Sequence, residues 1–282
     1  GTTAMSRTTD FLQYGLGKAI RKLRSQIGAR MNLAIDGETP DSKIDAAKAV
    51  ASRYGVLMAA NWRDKTFRYC IYATYGRDLS GYLAAIDQEF VFLDIGSNQG
   101  LYALLAAQNP NCRKVLAFEP VDRTYRLLRR NIALNKADPV VTALKLAISS
   151  ESGTASIAID DAHSGTATLV ADRTVAAAGA QQIRTINAAE LDKHIPEGLP
   201  IIIKIDVEGF EEVVIAELAK SAHLGNIMAI FFEVDSRWSD AESMMATLRD
   251  AGFGHFTKFG RGHHYDVLAY RSLQWQPALA NA

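Results

Sequence analysis

The chain has 282 residues, and its 31 lysines and arginines are balanced by 31 aspartates and glutamates. That length holds one sizeable α/β domain plus an appendage, and the balanced charge gives no overall basic field to draw in nucleic acid. Cys70 and Cys112 stand alone without C-x-x-C spacing, which argues against a zinc site or disulfide framework and for a reducing, cytoplasmic setting. No apolar run reaches the roughly 18 residues that span a bilayer, and no signal peptide is expected. Gly1-Thr2-Thr3-Ala4, ahead of Met5, reads as a vector-derived remnant.

Residues 1–88 read as a mainly helical extension and 89–282 as the principal domain. Phe11, Leu12, Leu16, Ile20, Leu23 and Ile27 recur at helical spacing among Lys18, Arg21, Lys22, Arg24 and Arg30. Gly15 and Gly17 weaken the start of that helix. It reads either as a basic attachment to a membrane surface or acidic glycan, or as a solvated helix packed on the core or on a second copy. The second reading is preferred and allows a homo-oligomer. A further helix is expected over 41–57, capped by Asp41 or Ser42, and then a strand over 66–74 from its alternation.

From Glu89 strands and helices alternate, which predicts a largely parallel sheet wound on both faces. The strand Val91–Ile95 leads through Gly96-Ser97-Asn98-Gln99-Gly100 into a helix from Leu101. Lys114–Phe118 is a second strand, followed by a helix over 121–135. Val140–Ile148 is a third, and Ser156–Ile159 a short edge strand. The polar loop 160–165 carries His163, and a surface stretch runs on to Gly179. Leu191–His194 closes a short helix before Pro196. Ile201–Val207 is the fourth strand, with a helix through Leu218, and Met228–Val234 is the fifth. A helix over 241–251 stops at Gly252. Gly254–Phe259 and Asp266–Arg271 then pair antiparallel across a turn holding His263 and His264, giving a seven-stranded sheet beside the short edge strand.

The glycine turn after a buried strand, with Glu119 about 20 residues on, is the arrangement of a nucleotide-type pocket. A carboxylate there accepts hydrogen bonds from both hydroxyls of a ribose cis-diol. A pyrophosphate needs a third glycine for its close approach, and here only Gly96 and Gly100 are present. Asp94 at the strand end repels a phosphate but suits an ammonium. S-adenosylmethionine, with a ribose, an ammonium and no phosphate, fits Asp94, Gly96, Ser97, Asn98, Gly100, Glu119 and Pro120 together. The competing reading is an ordinary strand–helix turn that binds nothing.

Asp94-Ile95-Gly96-Ser97-Asn98-Gln99-Gly100, Phe118-Glu119-Pro120 and Lys204-Ile205-Asp206-Val207-Glu208-Gly209-Phe210-Glu211 together resemble the FkbM-type methyltransferases over roughly residues 89–271. The resemblance implies a class I, Rossmann-like, S-adenosylmethionine-dependent O-methyltransferase acting on a hydroxyl of a saccharide or polyketide-type natural product. It also implies that an N-terminal extension shapes the substrate site. The third strand departs from many class I enzymes, because Ala147-Ile148-Ser149 brings no acid to an adenine amine. Backbone groups of Ala147 and Ile148 then have that task.

Ligands of open parallel sheets sit beyond the C-terminal strand ends, where Asp206 and Glu208 are joined by Glu233 and Asp235. O-methylation needs in-line alignment and removal of a proton. One carboxylate can serve as the base, its pKa raised by its neighbours. Alternatively Asp206, Glu208, Glu233 and Asp235 hold a divalent cation that polarises the hydroxyl. Asp206 also borders the cofactor. Lys204 reads equally as a catalytic cation or as a salt-bridge partner of Asp206 or Glu233, and Glu208 as a helix N-terminal acid. His163 is a second candidate base, with a solvated loop residue as its plain reading. His263 and His264 read as turn residues, and Tyr102 and Trp238 as stacking platforms or core. A nitrogen acceptor is disfavoured because no Asn- or Asp-Pro-Pro-aromatic loop is present, and a non-catalytic binding module because the acids are intact.

Overall fold

The computed structural model describes residues 27, 31, 41–158, 168–170, 180–237 and 239–277. The basic N-terminal helix, His163 and Trp238 fall outside the described residues. Seven strands form the main sheet: β3 (Phe90–Ile95), β4 (Cys112–Phe118), β5 (Val141–Leu144), β10 (Ile201–Ile205), β11 (Ile227–Asp235), β12 (His255–Phe259) and β13 (His264–Tyr270). Their order is β12-β13-β11-β10-β3-β4-β5. All neighbours are parallel except β13, which runs antiparallel to both β11 and β12.

Every residue of β3 and β10 is buried, as continuous apolar runs demand when helices cover both faces. Alternate side chains serve opposite layers. Phe90 and Phe92 pack with Leu104 of α3 (Leu101–Gln108), whereas Val91, Leu93 and Ile95 pack with Val214, Ile215 and Leu248. The latter belong to α6 (Glu211–Leu218) and α7 (Ala241–Asp250). The chain runs outward from β3 to β4 and β5, then returns to β10 on the other side of β3. The crevice at that reversal is where such sheets bind ligands.

Three expected elements are corrected. Residues 66–74 are not a strand: α1 spans Lys65–Tyr72, and its buried Phe67, Cys70 and Ile71 follow helical spacing. Asp64 caps it, Oδ1 accepting from the Thr66 N–H at 2.8 Å, and that cap decides against the strand. The helix expected over 41–57 is a 3-10 turn, Asp41–Ala46, followed by an antiparallel pair, β1 (Ala49–Ala51) with β2 (Leu57–Ala59). The third strand stops at Leu144. Ala147–Ile148 becomes β6, pairing with β9 (Ala180–Ile186) in a separate sheet ordered β6-β9-β7-β8, where β7 is Gly153–Ala158 and β8 is Thr168–Val170. The antiparallel end of the main sheet and the helix α4 (Asp122–Leu134) form as expected.

The described part of the N-terminal segment also holds α2 (Arg77–Ala85). Met58, Trp62, Phe67, Leu79 and Leu83 join the same hydrophobic cluster as Phe90, Phe92 and Leu104. Among the described residues, no helix is long and apolar enough to cross a membrane.

Candidate active site

The turn after β3 is built on unusual backbone. Gly96 has φ 73°, and a Cβ there would lie 1.9 Å from the Asp206 carbonyl oxygen, so only glycine lets the ends of β3 and β10 meet. Asn98 is held left-handed at φ 49°, a conformation Asn tolerates better than most residues. Its amide donates to Glu119 Oε2 at 2.9 Å, and the Val121 amide donates to Oε1 of the same carboxylate at 2.9 Å. Glu119 thus ties the glycine turn to the start of α4. Burial pushes its pKa up to about 7, against the pull of those two N–H groups. Pro120 follows at the mouth of the turn and is half-buried. Ser97 Oγ is buried with no hydrogen-bond partner among the described residues.

Asp94 does not face the crevice. It is wholly buried, with Oδ2 accepting from the Ala103 N–H at 3.0 Å and Oδ1 lying 3.5 Å from Lys204 Nζ. Its pKa is raised by burial and restrained by Lys204. The ammonium contact expected of it gives way to support of the loop and of α3. Ala147 and Ile148 are likewise moved: their strand pairs with Thr185 and Ile186 of β9. The neighbour of Glu119 on β5 is Leu144, whose carbonyl accepts the Glu119 N–H at 3.0 Å.

Lys204, in the centre of the sheet, donates to the Gly96 carbonyl at 2.6 Å and lies 3.4 Å from Asp206 Oδ2. Its ammonium also sits 5.8 Å from the ring centroid of Tyr102, which is buried. Lys204 is therefore the salt-bridge partner of Asp206 and Asp94. It makes no ion pair with Glu233, which is held instead by His264 (Nε2–Oε1 2.7 Å) and by the Tyr75 hydroxyl, donating to Oε1 at 3.2 Å.

Carboxylate oxygens of Asp206, Glu208 and Glu233 all lie within 4.8 Å of one another. Asp235 stays outside this group because Arg237 takes its carboxylate. Glu208 stands at φ 51°, left-handed without being glycine, a strain that concentrates at functional sites. Burial, then Asp206 and Glu233, raise its pKa to about 8. Glu233 is pushed up to about 7 by burial and by Asp206, with His264 opposing. Glu211, read only as part of a motif, opens its helix and pins the preceding turn, accepting the Val207 and Gly209 N–H groups at 3.0 Å each.

Sequence reading missed three members of the pocket. Asp266 lies directly opposite Glu233 in the β11–β13 register, and burial with Glu233 and Asp206 raises its pKa to about 8. Its place follows from aligning the expected hairpin against β11. His264 stands opposite Asp235 in the same register, so it faces the pocket rather than idling at a turn. Tyr75 comes from the α1–α2 connection, and no local signal marks it.

Residues 94–254 match the methyltransferase FkbM domain. Methyltransferase sdnD of Sordaria araneosa is 40% identical over 78 residues, covering 28% of this chain and 30% of that protein. Hexuronic acid methyltransferase AglP of Haloferax volcanii is 30% identical over 153 residues, covering 52% of this chain and 58% of that one. The chain thus spans about a third and somewhat over half the length of these two relatives. The crystal structure of precorrin-6y C5,15-methyltransferase from Geobacter metallireducens GS-15 aligns with a TM-score of 0.39 at 13% identity, over 68% of this chain and 86% of that one. With the FkbM domain matched over more than half of its residues, the chain belongs to the FkbM methyltransferase family.

Proposed function

We propose that the protein is an S-adenosylmethionine-dependent O-methyltransferase whose acceptor is a hydroxyl of a saccharide. The observation that carries this reading is the convergence of Asp206, Glu208, Glu233 and Asp266 at the strand ends beside the glycine turn. The likeness to a hexuronic acid methyltransferase supports a sugar acceptor.

The residues present fit the methyl donor. The orphaned Ser97 hydroxyl supplies a polar contact, and Glu119 keeps spare lone pairs for a diol although each oxygen already accepts one N–H. No third glycine admits a pyrophosphate. When bound, the donor supplies an electrophilic methyl group. The chain's part is to orient the acceptor oxygen and take its proton. Glu208 is the proton acceptor in this reading: its carboxylate makes no hydrogen bond among the described residues, and its strained backbone holds it against Asp206 and Glu233. Lys204 holds Asp206 in place. Tyr75 and His264 fix Glu233 from the other side.

A second reading draws on the three-carboxylate cluster, which can hold a divalent cation. A uronate acceptor favours it, since a further carboxylate in this pocket needs counter-charge. Incubation with the donor and a panel of sugars and nucleotide-linked sugars, hexuronates first, tests both readings. S-adenosylhomocysteine release with one added methyl on the sugar is expected. Turnover confined to amine acceptors overturns the proposal. Abolition by EDTA with recovery on magnesium selects the cation over the direct base.

A further inference from the structure

The glycine turn is held from behind by residues outside the matched span 94–254. Gln99 sits between two left-handed residues, Asn98 at φ 49° and Gly100 at φ 87°, and is 1% exposed. Its Nε2 donates to Asp64 Oδ2 at 2.7 Å, and its backbone carbonyl accepts from Asn131 Nδ2 at 2.7 Å. Asp64, itself 3% exposed, also accepts from Asn61 Nδ2 at 3.3 Å and caps α1 through Thr66. Gln99 Oε1 has no hydrogen-bond partner among the described residues.

We propose that Asp64 is a positioning residue for the methyl-donor site: through Gln99 it fixes the turn that presents Ser97 and seats the Asn98 N–H on Glu119. This rests on the donor reading above. Left-handed residues on both sides of Gln99 are not the intrinsic preference of a free loop, so an external clamp is what keeps the turn in one shape. The Gln99 side chain points into the N-terminal segment, where, among the described residues, Asp64 takes its N–H. A buried amide donor to a carboxylate is among the stronger neutral–ion hydrogen bonds, and removing one partner strands the other. The segment ahead of the family domain thereby becomes part of the donor pocket without touching the ligand.

Calorimetry of the full chain with S-adenosylhomocysteine, alongside thermal unfolding, tests this. Asp64→Ser keeps a helix cap but is too short to reach Gln99, and is expected to raise Kd about tenfold. Asp64→Asn, which can both cap and pair with a rotated Gln99 amide, is expected to bind within about twofold of wild type. Gln99→Met, which leaves the cap untouched, should weaken binding as Asp64→Ser does and covers the case where that variant does not fold. In Asp64→Ser/Gln99→Met the stranded donor is gone, so stability should recover while affinity stays weak. Wild-type affinity in Asp64→Ser or Gln99→Met, or recovery of affinity together with stability in the double variant, overturns the proposal. A wild-type protein that binds no S-adenosylhomocysteine overturns the donor reading and this inference together.

Discussion

Replacing Glu119 by glutamine isolates the cost of burying one ionised carboxyl at the donor site. Burial lifts this group from 4.5 to about 7, and each pH unit of difference between folded and unfolded chains corresponds to about 1.4 kcal/mol. Because the folded value is the higher one, the stability it confers is fully present below about 4.5 and drains away as the pH rises through 7. The total is about 3 kcal/mol. Glutamine does not titrate, so the advantage of wild type over Glu119→Gln should be greatest at the acid end and shrink by about 2.5 kcal/mol between pH 5 and pH 8. Urea unfolding of both proteins without ligand, at half-unit steps from pH 5 to 8, measures the difference directly. Groups that titrate alike in both proteins cancel. A difference that stays flat across the range refutes the assigned burial of Glu119 and its two amide bonds.

Gly96→Ala forces a Cβ to within 1.9 Å of the Asp206 carbonyl at φ 73°, so a loss of at least ~3 kcal/mol is expected by thermal unfolding; a wild-type melt contradicts the close approach of β3 and β10. Glu208→Gln should lower turnover at least ~100-fold while leaving the Kd for S-adenosylhomocysteine unchanged, and full activity removes Glu208 as proton acceptor. Asp266 is raised from 3.8 to about 8 by burial, Glu233 and Asp206, so the stability its protonated form confers is lost as the pH rises from about 4 through 8. Asp266→Asn, which does not titrate, should therefore gain on wild type by about 1 kcal/mol between pH 6 and pH 9, discounted for partial exposure; equal effects at both pH values argue against the assignment.

The central sheet was legible because its strands are buried on both faces and carry long apolar runs that end in acids, as Phe90–Ile95 and Ile201–Ile205 do. The N-terminal segment was not. Thr66–Thr74 alternates in hydrophobicity, yet Asp64 at its head outweighs that pattern by satisfying a helix N-terminus. Of the second sheet only part of β7 was expected, as the edge strand 156–159, whereas β7 lies between β9 and β8; β9 is largely polar and β6 consists of two residues, so neither stood out. At the site, Glu119 drew attention by its spacing from the glycine turn, and Asp206 and Glu208 by their place after a buried strand. Asp266, His264 and Tyr75 reach the pocket through strand register and a loop, which local sequence does not encode. Asp94 was assigned by its position at a strand end, which says nothing about whether the carboxylate turns outward or under the loop.

Lys204 gathers the Gly96 carbonyl, Asp94 and Asp206 around one ammonium at the centre of the sheet. It acts as a keystone between the glycine turn and the carboxylate cluster. Neutralising it would leave two carboxylates facing each other with nothing between them, so neither part could be redesigned without the other. An engineer wishing to change the acceptor of this enzyme should therefore work from the outer rim inward and leave that amine alone.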